Sequence, residues 1–409
     1  MKSHYRRLMR RGKPLAFAGA LLTGLALTLP GCLGTRTVLD TAKRHAYLYV
    51  GNLADKTISQ YRIEDNGSLT PLPIRSVPTR DKPLNIVINP AQTIAYVAEG
   101  SQIEAFTLHA DGTIASLGTQ SDAGEQAGLS SDNGVSAMTI THDGKNVYAI
   151  DRLKGSSLLL EYTVNANGSL TRLGQTPLGN FPNSVLESDG DVYVTDNLDN
   201  TLTVFRVNSY GGLTPLSPSI YTTGIKPIRV IEDPRYRTIY VSCQEANNGT
   251  GSLNSYSSAV NGQSADIGPQ LKNTAITQGT PVSITALPYG TDGALLFTPN
   301  KQISTVSSFN SNFTTGALTP LSPSQFTTGN APVDAVVDPT GKYLYVLSAL
   351  DAGIYTYAVN TQGTPSVQIV GGGATPTGRN PFSIAVADVG LAASAHSSST
   401  AGDIHAHVN

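Results

Sequence analysis

The chain has 409 residues and a formal net charge of −2. The first thirty-two residues contain six Lys or Arg and no acidic residue, so without them 21 basic groups face 29 acidic groups, a net charge of −8. That balance argues against nucleic acid or an anionic membrane surface as a partner.

The N-terminal segment has the parts of a bacterial secretory signal. Six basic residues precede an uncharged run from Leu15 to Leu29, which is too short for a comfortable transmembrane span. Cys32 directly follows Leu-Pro-Gly, and this sequence resembles a lipobox, which implies cleavage before Cys32 and lipidation of its thiol. We therefore predict a lipoprotein signal over residues 1–32 and a short tether over residues 33–46. A plain signal with an incidental cysteine is the alternative.

The rest of the chain contains one cysteine. If Cys32 is lipidated, only Cys243 remains, so no intramolecular disulfide can form. Cys243 follows the strand-like run Thr-Ile-Tyr-Val-Ser, and we interpret it as a small buried hydrophobic residue and not as a reactive thiol.

A short apolar pattern recurs through the chain with spacings of 45 to 56 residues. Its seven copies are YLYV (47–50), IAYV (94–97), NVYA (146–149), DVYV (191–194), TIYV (238–241), ALLF (294–297) and YLYV (343–346). A short apolar run precedes each later copy, and an alternating run and then a glycine-containing turn follow most copies. Four short strands per repeat, repeated seven times, indicate a β-propeller.

The predicted fold is all-β, a seven-bladed β-propeller of four-stranded antiparallel blades over residues 47–387. The run NPFSIAV (380–386) has the pattern of an inner strand but no outer strands after it, whereas residues 47–72 are outer strands without an inner one. We predict that the C-terminal strand closes the first blade, which removes an open sheet edge. Residues 388–409 are small and polar, and we predict a disordered tail.

The repeats resemble those of a known family. YVTD (193–196) and DPTGKYLYVLS (338–348) are similar to the blade pattern of the seven-bladed propeller lactonases, which include bacterial 6-phosphogluconolactonase, and of their YVTN-repeat relatives. The resemblance covers nearly all of residues 47–387. It implies the propeller fold and, as an activity, hydrolysis of a lactone ring.

A polar collar is predicted at the mouth of the central channel, two positions after the start of each inner strand. Its members are Asn85, Ser136, Ser184, Arg229, Ser283, Asp334 and Ser383. These side chains would either satisfy backbone groups and channel water or bind a ligand. Arg229 and Asp334 are candidates for holding a ligand carboxylate and a hydroxyl, or they pair with each other.

A second ring is predicted two residues after each apolar pattern. It comprises Asn52, Glu99, Asp151, Asp196, Cys243, Pro299 and Ser348. Asn and Asp at such positions usually close turns by bonding local backbone. Glu99, Asp151 and Asp196 are weak candidates for a calcium site. We otherwise predict no metal and no cofactor.

The resemblance also implies His, Arg and acidic residues near the starts of the inner strands, where they would activate water and stabilise an oxyanion. Here those positions hold Ser136, Phe181 with Asn183, Ile228 with Arg229, and Val282 with Ser283. His142 and His109 lie in turns predicted on the opposite face. Of the implied groups, only Arg229 is present.

The sequence therefore favours a binding or scaffold module, an exported lipoprotein of the bacterial cell envelope, at the outer membrane in a Gram-negative organism. The ligand would be small and anionic or sugar-like, or the partner would be an envelope protein, and the protein would be a monomer. The alternative is a lactone hydrolase with a reduced or displaced site, so enzymatic activity stays open. A third interpretation, surface adhesion, needs an exposed apolar patch on a rim.

Overall fold

The apolar pattern of each repeat forms the second strand of a four-stranded sheet, buried on both faces. In the first copy Leu48 and Val50 are fully buried, and Tyr49 is only 1% exposed. The computed structural model describes residues 45–121, 134–152, 156–233, 238–245, 250–257 and 268–389. These residues, which all lie in a unit spanning Ala42–Asn409, contain twenty-eight strands and no helix. Accordingly, the described ranges include no helix able to span a membrane.

The strands form seven four-stranded antiparallel sheets, one for each blade. The first four blades are, from the inner strand outwards, β28 (Pro381–Val389), β1 (His45–Asn52), β2 (Thr57–Ile63) and β3 (Leu69–Pro78); β4 (Asn85–Ile88), β5 (Ile94–Ala98), β6 (Ile103–Leu108) and β7 (Ile114–Ser121); β8 (Gly134–Ile140), β9 (Asn146–Arg152), β10 (Leu158–Val164) and β11 (Leu170–Pro177); and β12 (Pro182–Ser188), β13 (Asp191–Asp196), β14 (Thr201–Val207) and β15 (Leu213–Thr222).

The remaining three blades repeat this order. They are β16 (Ile225–Glu232), β17 (Thr238–Glu245), β18 (Ser252–Ser257) and β19 (Leu271–Ile276); β20 (Thr285–Tyr289), β21 (Gly293–Asn300), β22 (Thr305–Asn312) and β23 (Leu318–Thr327); and β24 (Pro332–Val337), β25 (Tyr343–Ser348), β26 (Gly353–Asn360) and β27 (Ser366–Pro376).

The C-terminal strand closes the first blade, as predicted. β28 pairs antiparallel with β1, with Tyr47 opposite Ala387 and Tyr49 opposite Ala385. The paired strands begin at His45 and end at Val389, two residues beyond the predicted limits of the ring at each end. Each inner strand therefore has a partner, including the one supplied by the other end of the chain.

The apolar core lies between neighbouring blades. One cluster packs Tyr96 and Ile103 of blade 2 against Met138 and Leu160 of blade 3. The other six clusters repeat this arrangement around the ring. Because every blade packs on both sides, its second and third strands carry apolar residues on both faces.

Tyrosine hydroxyls join the blades within this core. The donor is a tyrosine in the second strand of one blade. The acceptor is a glycine carbonyl of the next blade, in the turn between that blade's third and fourth strands. Such pairs are Tyr49 with Gly112, Tyr96 with Gly168, Tyr148 with Gly211 and Tyr345 with Gly67, at 2.8–3.0 Å. In blade 6 the equivalent residue is Phe297, and Tyr289 at the end of β20 donates to Gly363 O instead (3.0 Å).

The ring has two distinct faces. The mouth face comprises the turns between second and third strands, such as residues 197–200, and the connections leading into each inner strand, such as residues 178–181. The opposite face comprises all other turns. His45 and Val389 lie side by side at the opposite face, where the described chain begins and ends.

Candidate functional site

The structure corrects one member of the predicted collar. In the blade formed by β12–β15, Pro182 pairs with Asp196, and the collar residue Ser184 follows two positions later. In the blade formed by β8–β11, Val135 makes the equivalent pair with Asp151. The collar position of that blade is therefore Ala137 and not Ser136. The predicted position is one residue too early, because the connection before β8 has no proline to mark where the inner strand starts. Six collar positions are polar, and the seventh is alanine.

Most of the collar side chains join the inner strands to one another. Asn85 Oδ1 accepts from Met138 N–H (3.0 Å), and Ser184 Oγ accepts from Val230 N–H (3.2 Å). In both pairs the donor belongs to the inner strand of the following blade. The collar therefore satisfies backbone donors that the channel would otherwise leave without partners.

Asp334 has the same connecting role and is not available to a ligand. One carboxylate oxygen accepts from Ser283 Oγ at 2.6 Å, and the other accepts from Ile384 N–H at 3.3 Å. Asp334 thus links three successive blades and does not pair with Arg229. Ser383 is also engaged, because its hydroxyl donates to Pro83 O (3.5 Å).

Arg229 is the exception in the collar. A guanidinium only donates hydrogen bonds, so Arg229 cannot accept from the neighbouring strand as Asn85 and Ser184 do. It makes no hydrogen bond or ion pair with any described residue and is half-buried.

Arg229 lines a channel cavity of about 320 Å³. The other residues that line it are Asn85, Ile86, Val87, Ile88, Gln92, Met138, Thr139, Ile140, Ala385 and Val386. Arg229 is the only charged residue among them. A larger depression of about 590 Å³ lies away from the channel, against β3 of blade 1.

The second predicted ring closes the corners of the blades. Asn52 Nδ2 donates to Thr57 Oγ1 and Ser59 Oγ at 3.2 and 2.9 Å. Asn300 makes the same bonds in blade 6, so Asn300 and not Pro299 is the member there. The pattern ALLF (294–297) is therefore one residue out of register with the pattern YLYV (47–50), because Phe297 occupies the position of Tyr49.

The carboxylates of this ring stay separate. Glu99, Asp151 and Asp196 lie in three different blades, and no three His, Cys, Asp or Glu side chains in the described ranges are grouped to hold a metal. Burial raises the pKa of Asp151 and of Asp196 to about 6 in each case. Asp196 accepts from Thr203 Oγ1 at 2.6 Å, which is the corner-closing bond of its blade.

Glu99 forms a buried acid pair with Glu104. The two residues are 0% and 3% exposed, and each has one carboxyl oxygen without a hydrogen-bond partner. Burial and then the nearby carboxyl of Glu104 raise the pKa of Glu99 to about 8. A proton shared between the two carboxyls would satisfy both free oxygens. The pair is closed to solvent and offers no acid to a ligand.

A cluster missed by sequence reasoning lies at the opposite end of the channel. His142 is on the opposite face, with Nδ1 3.0 Å from Glu187 Oε2 and Nε2 3.0 Å from Glu232 Oε1. Hydrogen bonds to Glu187 and Glu232 raise the pKa of His142 to about 10. The imidazolium ties together three blades and is not a general base at neutral pH.

The sequence did contain a signal for this cluster. Glu187 and Glu232 occupy the same position of adjacent inner strands, three residues after the collar position. The other five blades have Ile88, Ile140, Ala286, Val337 and Val386 there. Two acids in an otherwise apolar position indicate a shared cationic partner.

Cys243 is fully buried, and burial raises the pKa of its thiol to about 12, so the thiol is not reactive. Cys32, the predicted signal and most of the tether lie outside the described residues, as does the C-terminal segment from residue 390.

Comparisons with known proteins agree with this architecture. The family model described as a seven-bladed β-propeller lactonase matches residues 38–223. No curated protein matches the chain.

Solved structures extend the likeness around the ring. The periplasmic gluconolactonase of Pseudomonas aeruginosa is 17% identical with a TM-score of 0.68, over 84% of this chain and 99% of that one. A candidate 6-phosphogluconolactonase from Bacteroides fragilis is 18% identical with a TM-score of 0.67, over 86% and 99%. The hydrazine synthase of Kuenenia stuttgartiensis is 13% identical with a TM-score of 0.54, over 77% and 95%. Likeness at this level shows the fold alone.

Proposed function

Because the chain resembles the seven-bladed β-propeller lactonase family in sequence and in fold, we propose that its channel mouth binds a small anion through Arg229. The protein would act as an exported binding module, anchored to the membrane through Cys32. A monomer is sufficient, because the collar and the channel are built from one chain. An envelope protein could bind at the same site if it presents an anionic group to Arg229.

The observation that carries the proposal is the free guanidinium of Arg229. Asn85, Ser184, Ser283, Asp334 and Ser383 are bonded to neighbouring strands, whereas Arg229 faces the cavity without a partner among the described residues. A half-buried cation is costly without an anion. A carboxylate suits the fork of a guanidinium, because two parallel hydrogen bonds form.

The position of the chain ends is compatible with anchoring. The strand after the tether begins at His45 on the opposite face. A lipid on Cys32 would therefore be connected to the ring at the end of the channel away from the mouth.

Lactone hydrolysis is the second candidate, and the family match supports it. In that reaction water adds to the carbonyl carbon, the ring C–O bond breaks, and a hydroxy acid is released. Arg229 would stabilise the oxyanion, but a base must also remove a proton from the water. The cavity-lining residues include no His, Asp or Glu in the described part of the chain, which favours binding over turnover.

The test is a titration of the soluble protein, starting at residue 33, with gluconate and with butyrate, by calorimetry. We expect Arg229→Ala to weaken binding of both anions at least tenfold, since the charge-assisted hydrogen bonds are lost. Lys301→Ala is the matched control, because Lys301 is an exposed cation on a turn of the mouth face.

Turnover is measured in parallel with glucono-δ-lactone and 6-phosphogluconolactone, after subtraction of the uncatalysed rate. We expect no saturable hydrolysis. Saturable hydrolysis that Arg229→Ala abolishes would place the hydrolase first, and unchanged anion binding by Arg229→Ala would overturn the proposed site.

A further inference from the structure

We propose that the anion held by Arg229 also carries an aryl or alkyl group, which packs on an exposed apolar patch beside the channel mouth. The patch consists of Phe181, Leu198 and Ile225, and we call it the mouth patch. This inference rests on the proposed function and narrows its ligand to amphipathic carboxylates.

Backbone hydrogen bonds hold the segments of the mouth patch together. Asn197 N–H donates to Phe181 O at 3.1 Å, and Leu198 N–H donates to Asn180 O at 3.2 Å. Lys226 N–H, next to Ile225, donates to Asn200 Oδ1 at 2.7 Å. The three side chains therefore belong to one small region at the border of blades 4 and 5.

One strand connects the mouth patch to Arg229. Ile225 and Arg229 are in the same strand, β16, and four residues of strand span about 13 Å. Asn197 Nδ2 also donates to Pro227 O at 3.0 Å, which fixes the turn of Leu198 against this strand. A ligand whose carboxylate and apolar group are spaced to match would contact both.

The ring of Phe181 is held in place before any ligand binds. The Arg152 guanidinium lies 4.3 Å from the ring centroid and donates to Pro182 O at 3.2 Å and Asn183 Oδ1 at 3.0 Å. Phe181 also has a left-handed backbone (φ 57°), a conformation that bulky residues rarely adopt. An ordered ring loses little conformational entropy when a ligand packs on it.

All three side chains of the mouth patch are exposed. Phe181, Leu198 and Ile225 are 44%, 63% and 44% exposed. Neighbouring exposed apolar side chains on one face of the ring mark a binding surface. The neighbouring cation Lys226 is paired with Glu245, and Arg152 bonds Pro182 and Asn183, whereas Arg229 has no partner among the described residues.

Blade 7 provides a built-in comparison. Leu350 and Ala331 occupy the positions of Leu198 and Phe181, and Asn330 N–H bonds Asp351 at 2.7 Å as Asn180 N–H bonds Asp199. Ala331 has a similar left-handed backbone (φ 51°) and no ring. Phe181→Ala therefore reproduces a residue that the same backbone already accepts, so this variant should fold.

The experiment compares butyrate with 4-phenylbutyrate by calorimetry on the soluble protein. We expect 4-phenylbutyrate to bind about tenfold more tightly, because burial of a phenyl ring adds apolar contact. Phe181→Ala should remove that advantage and leave butyrate binding unchanged. Leu198→Ser should weaken 4-phenylbutyrate binding, whereas the matched control Leu350→Ser should not. Arg229→Ala should weaken binding of both anions.

The outcomes separate the two proposals. Equal affinities for both anions, each dependent on Arg229, would overturn the mouth patch and leave the anion site intact. Tighter binding of 4-phenylbutyrate that Phe181→Ala and Leu198→Ser both leave unchanged would also overturn it. Absence of binding by either anion, or binding independent of Arg229, would overturn the proposed function itself.

Discussion

At the scale of single residues, the tyrosine hydroxyls between blades have a predictable energetic role. Tyr96 is fully buried, and its hydroxyl donates to Gly168 O at 2.8 Å. Tyr96→Phe keeps the packing but leaves a buried carbonyl without its donor, which costs about 1 kcal/mol. We expect this decrease in the free energy of unfolding from urea titration. Tyr210→Phe, at an 85% exposed site, should have no effect, and equal losses in the two variants would contradict the interpretation.

We expect His142 to make the stability of the ring dependent on pH. The carboxylates of Glu187 and Glu232 raise the pKa of His142 from 6.5 in the unfolded chain to about 10 in the fold. Its stabilisation is therefore complete below pH 6.5 and is lost as the pH rises from 6.5 through about 10. Because the side chain of His142 is 44% exposed, solvent screening limits the effect to about 1 kcal/mol.

His142→Gln tests this dependence. The variant should be less stable than the parent at pH 6, and the difference should shrink toward pH 10, as measured by urea unfolding at each pH. Binding of butyrate should not change, because His142 lies on the opposite face. A difference in stability that is independent of pH would show that the imidazolium is not the cause.

At the scale of elements, the C-terminal strand decides whether the ring is closed. β28 provides the inner strand of blade 1, and Arg379 just before it donates from its backbone and its guanidinium to Asp55 (2.6 Å each). Deletion of residues 378–409 would expose the edge of β1 and the apolar faces beside it. We expect loss of cooperative thermal unfolding, or aggregation.

Deletion of residues 391–409 is the control for this prediction, because it removes only chain beyond β28. We expect its melting temperature to stay near that of the parent. A stable monomer from the longer deletion, seen by light scattering, would contradict the role of β28.

At the scale of the whole molecule, the predicted lipidation of Cys32 would attach the propeller to a membrane. Cys32→Ser should abolish acyl labelling and move the protein from the membrane fraction to the soluble fraction. Mutation of Cys243, which is fully buried, should not change the fractionation of the folded protein. If Cys32→Ser still sediments with membranes, another feature of the protein holds it there.

The fold could be predicted from the sequence because each repeat carries the same local information. The apolar pattern, the alternating run and the glycine turns recur at similar spacing, so each blade can be recognised independently. The exact register of the strands was harder to predict from the sequence. The predicted positions in β8 and β21 are each one residue out of register. No proline marks the start of β8, and in a strand buried on both faces, such as β21, a run of apolar residues does not distinguish neighbouring positions.

The sequence by itself determined the number of blades, the closing strand and the polar character of most of the collar. The tertiary structure alone decided which polar residues are free. Asn85, Ser184 and Asp334 bond to the next inner strand, whereas Arg229 cannot accept a hydrogen bond and lines the cavity without a partner in the described part of the chain. The tertiary structure also brings His142 between Glu187 and Glu232, which are 45 and 90 residues further along the chain. Such contacts join separate repeats across the channel, and local sequence patterns contain no information on which side chains meet there.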